Sequence, residues 1–143
     1  MINLLKFDKD FFKENGYITN DVLSSNKEFE KISRDFKNSL NEILSKNEHQ
    51  NLGGYKSGNL NINPGKYGVK IFSLLNDLNF KNYFNFLTDE KIEDFKPIFG
   101  GNLNLINSKN QFFHTDGNWN PRMIVVNIAT TKIGDENGPL EII

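Results

Sequence analysis

Residues 111–119 read Gln-Phe-Phe-His-Thr-Asp-Gly-Asn-Trp, and within them His114 and Asp116 are the pair best suited to do chemistry. On an extended strand alternate side chains leave the same face, so these two emerge together, about 6.6 Å apart along the strand, while Thr115 points away. One imidazole and one carboxylate at that spacing are two of the three ligands in the two-histidine, one-carboxylate arrangement that holds non-haem Fe(II) and keeps positions open for substrate and oxygen. His-x-Asp by itself is a weak signal. Its weight comes from context: Gly117 follows at once, and Asn137-Gly138-Pro139-Leu140-Glu141 follows about twenty residues later. No third ligand is evident. The only other histidine, His49, comes after Lys46-Asn47-Glu48 at the polar end of an expected helix, where solvent exposure or contact with the helix C-terminus is its simpler role.

The elements that must position this pair can be read from periodicity. Asp8 to Asn15 predicts a short helix, with Asp8 as N-cap, Phe7 as the staple residue before it, and Gly16 in the position that ends helices. Ser24 or Ser25 then caps a longer helix to about Ser45, in which Phe29, Ile32, Phe36, Leu40 and Ile43 recur at three- and four-residue steps. A glycine-rich loop, Asn51 to Gly58, leads to the short alternating stretch Asn59-Leu60-Asn61-Ile62; it lacks the Gly-Lys-Ser/Thr ending of a phosphate-binding loop. Further helices are predicted from about Lys66 to Leu78 and from Tyr83 to Leu87.

From Ile98 onward the texture is that of strands. Leu103 and Leu105 alternate with Asn102 and Asn104, Phe112 to Asp116 is the next strand, Met123 to Ala129 is rich in branched residues, and Leu140 to Ile143 starts another. Helices first and antiparallel strands second predict an α+β protein: one domain over residues 1–143, with a mainly helical cover (1–97) on a sheet (98–143).

Bulk composition narrows the function classes. A net charge of −1 and a pI near 6.1 leave no basic footprint for nucleic acid or an anionic membrane, which points to small or neutral partners. The absence of cysteine excludes disulfides and thiolate metal sites and fits a reducing compartment, so a cytoplasmic location is expected. Nothing in the sequence has the length and apolarity of a membrane span. Asparagine is abundant and Lys far outnumbers Arg, a skew attributed to base composition rather than to function.

A strand bearing His-x-Asp, an aromatic, a second hydrophobic strand and then Asn-Gly-Pro-Leu resembles the phytanoyl-CoA dioxygenase family of Fe(II)/2-oxoglutarate oxygenases. Phe11-Phe12-Lys13-Glu14-Asn15-Gly16-Tyr17 followed by Val22-Leu23-Ser24 resembles that family's opening, and the most specific likeness runs from Phe113 to Ile143. The resemblance implies a double-stranded β-helix, a cupin-like jelly-roll barrel whose first half carries the His-x-Asp pair. It implies His114 and Asp116 as Fe(II) ligands, with 2-oxoglutarate and O2 as cosubstrates for oxidation of a small molecule. The family continues after Asn-Gly-Pro-Leu with a Pro-Gly-Ser/Thr-His segment, then a distal histidine and a basic residue that anchors 2-oxoglutarate. This sequence stops at Ile143, on an apolar strand-like end, so it is expected to be the front part of a longer protein.

Several other residues carry two readings each. Asn104 and Asn127 are amides within hydrophobic strands; each suits a hydrogen bond to 2-oxoglutarate, and each suits structural pairing or an outward face equally well. Asn127 shares its strand face with Val125 and Ala129, small enough to leave room for a ligand if that face is inward. Trp119 suits packing better than a substrate stack, Arg122 suits surface pairing, and Asn137-Gly138-Pro139 is most simply a tight turn. Two other functional classes fit the same residues: a non-catalytic remnant or partner-binding module, and a cupin-like metal enzyme that does not use 2-oxoglutarate.

Overall fold

The computed structural model describes residues 9–91, 93, 96–112, 114, 123–135 and 142. Mixed helix and strand is what it contains, in the order α1 (Lys9–Asn15), α2 (Lys27–Ser45), β1 (Asn59–Ile62), α3 (Lys66–Asp77), α4 (Phe80–Thr88) and β2 (Gly101–Asn104), with short 3-10 turns at Glu48–Asn51 and Tyr55–Ser57. By its contacts the chain divides into two compact units, each built from two stretches: Met1–Ser39 with Asn63–Gly100, and Leu40–Ile62 with Gly101–Ile143.

The first unit is helical. α1 ends as its sequence predicts: Gly16 takes the left-handed conformation (φ 77°), and its N–H returns to the Phe12 carbonyl at 2.8 Å. Phe7 and Asp8, the expected staple and cap, lie outside the described residues. α2 starts where periodicity puts it but is capped by a different residue. Ser24 N–H bonds to Asp21 O and Asn26 N–H to Leu23 O, so both candidate serines sit inside a turn, and Asn26 Oδ1 accepts the Phe29 N–H at 3.0 Å. An asparagine side chain reaching the third helical amide is a standard N-cap.

Phe29, Ile32 and Ser33 form the buried stripe of α2, and Ile71 and Leu75 that of α3. In α4, Phe84 and Leu87 are buried, and Phe80 stacks edge-on against Phe84 with ring centroids 4.3 Å apart. Phe36 of α2 meets Tyr67 of α3 at 5.1 Å, and Phe72 meets Phe99 at 6.1 Å, so aromatic contacts join elements distant in sequence. The joint between α3 and α4 is a left-handed Asn79 (φ 64°). Asn47, Asp89 and Asn107 take the same conformation, so asparagine and aspartate bend the backbone at these points where glycine would otherwise be needed.

The second unit is organised by a two-stranded antiparallel ribbon that pairs Asn59 with Asn104, Leu60 with Leu103, Asn61 with Asn102 and Ile62 with Gly101. Alternation explains its two faces. Leu60 (0% exposed) and Ile62 are core residues, while the intervening positions of both strands carry asparagine. The glycine-rich loop packs along β1: Asn61 N–H bonds to Gly53 O at 2.8 Å, and Gly54 lies so close that a Cβ there would stand 1.8 Å from the Asn59 carbonyl oxygen.

Met123 to Ala129, predicted as a strand, has no regular structure, and its residues Met123, Ile124, Val125 and Val126 are all exposed. Branched residues favour strands only when a neighbouring strand completes their hydrogen bonds and covers one face, and β1 and β2 are the strands formed among the described residues. No helix among the described residues is long and apolar enough to cross a membrane.

Candidate functional site

His114 belongs to no regular element and is exposed. Its Nδ1 lies 2.7 Å from the Phe112 carbonyl oxygen. A carbonyl only accepts, so this hydrogen bond needs a proton on Nδ1, and in the neutral ring that puts the lone pair on Nε2. That division of labour, one ring nitrogen donating to a backbone carbonyl and the other left basic, is the state in which a neutral histidine ligates a metal.

Asp116, the other expected ligand, lies outside the described residues, as do Trp119, Arg122 and the Asn137-Gly138-Pro139 turn. Among the described residues no group of three His, Asp or Glu side chains is placed to hold a metal ion. His49 sits in the 3-10 turn that follows α2, with its ring edge-on to Tyr55 at 5.7 Å. Asn104 ends β2, exposed, opposite Asn59, whose amide Nδ2 donates to the Lys109 carbonyl at 2.8 Å and so ties down the chain leaving β2. Asn127 is exposed within the irregular segment; Val125 and Ala129 are exposed with it, so the three share no covered face. The structure brings none of these side chains into hydrogen-bonding contact with His114 among the described residues.

Two features of the polar structure lie apart from the His114 and Asp116 pair. The first is an ion cluster at the end of α4. Asp89 accepts from Lys13 at 2.7 Å and also from Lys9, and Lys9 lies over the Phe86 ring, 5.0 Å from its centroid. Hydrogen bonds from Lys13 and then Lys9 hold the Asp89 carboxyl at about 2, below its ordinary 3.8, and the same Asp89 contact raises Lys13. The partners are 76 and 80 residues apart, and no local pattern announces such a pair. Tyr83, in the same unit, has its hydroxyl pushed up by burial.

The second is the loop from Gln50 to Ser57, which lines an open groove of about 410 Å³. A run of glycines with one lysine was its signal in the sequence.

No family model, curated protein or solved structure matches this chain.

Proposed function

We propose that residues 1–143 are the front part of a non-haem Fe(II), 2-oxoglutarate-dependent dioxygenase that hydroxylates an unactivated carbon of a small organic substrate. The observation that supports this most is the His114 ring, whose Nδ1 lies 2.7 Å from the Phe112 carbonyl, the kind of backbone contact that orients a metal-ligating imidazole. The donor set suits Fe(II): one imidazole nitrogen and, two residues on, the carboxylate of Asp116. Fe(II) held there supplies the redox chemistry that couples oxidative decarboxylation of 2-oxoglutarate to succinate and CO2 with insertion of the second oxygen atom of O2 into a C–H bond.

His114 and Asp116 act by fixing ligand positions, and the Phe112 carbonyl acts by orienting the imidazole through its Nδ1. The exposed amides of Asn104 and Asn127 are proposed to hydrogen-bond 2-oxoglutarate. The resemblance also implies a distal histidine and a basic residue, and no histidine follows His114 in this sequence.

The test is succinate formation from 2-oxoglutarate by the protein expressed from its complete reading frame. His114→Ala and Asp116→Ala should each abolish it, and wild-type turnover in either variant overturns the assignment. Turnover of the organic substrate that does not require 2-oxoglutarate selects the cupin-like alternative. A partner-binding module is the second reading, favoured by the four consecutive exposed residues Met123 to Val126. It predicts a melting temperature that Fe(II) leaves unchanged.

A further inference from the structure

We infer that the loop from Gln50 to Ser57 binds a small organic molecule through a terminal oxyanion, a carboxylate or a phosphate monoester, with Lys56 as the charge partner. An open groove of about 410 Å³ is lined by Gln50, Leu52, Gly54, Tyr55, Lys56 and Ser57, room enough for a small molecule. Its lining carries one positive charge and no acid. Among the described residues, ion pairs form at Lys9, Lys13 and Lys91, and Lys56 takes part in none.

The frame around the groove is tied at both ends. Asn61 N–H bonds to Gly53 O at 2.8 Å, Leu105 N–H to Gly58 O and Lys109 N–H to Ser57 O, each at 2.9 Å. Inside the loop, Ser57 Oγ–H donates to the Gly54 carbonyl at 2.8 Å. A loop held this way loses little conformational freedom when a ligand arrives. Tyr55 and Leu52 add apolar surface, which suits an organic anion better than a bare ion. The His49 ring packs on Tyr55, and its Nδ1 is buried with no hydrogen-bond partner among the described residues, an unmet polar group beside the groove. None of these residues belongs to the His114 and Asp116 pair, so the site holds whether or not the chain is an oxygenase.

The experiment is a titration of the full 15N-labelled chain with inorganic phosphate, with benzoate, and with neutral glycerol, followed by amide chemical shifts. Saturating shifts confined to residues 50–57 are expected with at least one anion, and the affinity should fall about tenfold in Lys56→Gln, the loss of one charge-assisted hydrogen bond. Saturation by phosphate alone assigns a phosphate ester, and saturation by benzoate alone assigns an organic acid. Shifts that never saturate, that glycerol reproduces, or that Lys56→Gln leaves unchanged overturn the inference. Lys56 is exposed, so the variant leaves the fold intact, and its amide spectrum verifies this directly.

Discussion

Gly16→Ala and Gly54→Ala form a pair that separates backbone strain from steric exclusion. Both glycines are left-handed, at φ 77° and 81°. Around Gly16 nothing lies within 4 Å of an added Cβ, so alanine there meets only the cost of the left-handed conformation, about 1 kcal/mol. At Gly54 the same Cβ would stand 1.8 Å from the Asn59 carbonyl oxygen, far inside the 3.0 Å below which real Cβ contacts essentially never fall. That oxygen is backbone of a buried strand residue and has no rotamer by which to yield, so loop and strand must part by about 1 Å. The Asn61 N–H to Gly53 O bond, now 2.8 Å, breaks, adding about 1 kcal/mol or more for an amide left without its partner. Gly54→Ala should therefore cost about 2 kcal/mol or more against about 1 for Gly16→Ala, read as the shift in urea midpoint at constant slope. Hydrogen exchange gives a local readout, because Asn61 should lose protection in Gly54→Ala and keep it in Gly16→Ala. Equal destabilisation by the two variants would refute the reasoning, since the loop would then not press on β1.

Three further outcomes are expected. Asn26→Ala should cost about 1 kcal/mol in thermal unfolding while Ser24→Ala and Ser25→Ala stay near neutral, because Asn26 supplies the cap of α2. Asp89 titrates at about 2 in the fold against an ordinary 3.8, so its contribution is present above pH 4 and is lost as pH falls from about 4 to about 2. Acid melts of Asp89→Asn should lack that component, and added salt should shrink it in the wild type because the cluster is solvent-exposed. Leu60→Ala, at a fully buried position of the ribbon, should cost about 3 to 5 kcal/mol by denaturant titration, the range for truncating an enclosed leucine.

The helices were legible because their information is local. Phe29 and Ile32 recur at helical spacing and are the buried residues of α2, and α3 runs over Lys66–Asp77 where the apolar pattern predicts Lys66 to Leu78. α4 extends over Phe80–Thr88, three residues earlier than its pattern suggests, because Phe80 at the start packs on Phe84. The cap of α2 was misplaced by one or two residues because serine and asparagine are both good caps, and only the preceding turn decides between them. β2 was legible by alternation, but its pairing with β1 spans forty residues and leaves no trace in either strand. At Met123 to Ala129 composition argued for a strand, whereas strand formation depends on a neighbour that composition does not describe. The metal pair rested on two residues, of which the structure describes His114 and supplies one detail that spacing could not, the contact of its Nδ1 with the Phe112 carbonyl.

The register of the ribbon also governs when this chain can fold during synthesis. β1 ends at Ile62 and its partner begins at Gly101, with α3 and α4 made in between. At 5 to 20 residues per second the ribosome needs roughly two to eight seconds to complete β2 after β1 has emerged. Throughout that interval Leu60 and Ile62 belong to a lone strand with open hydrogen-bonding edges, while α3 and α4 already have the local contacts they need to form. The nascent chain is therefore most exposed to mispairing and chaperone capture at Asn59–Ile62, and arresting translation before Gly101 should leave that stretch the first to be cut by protease.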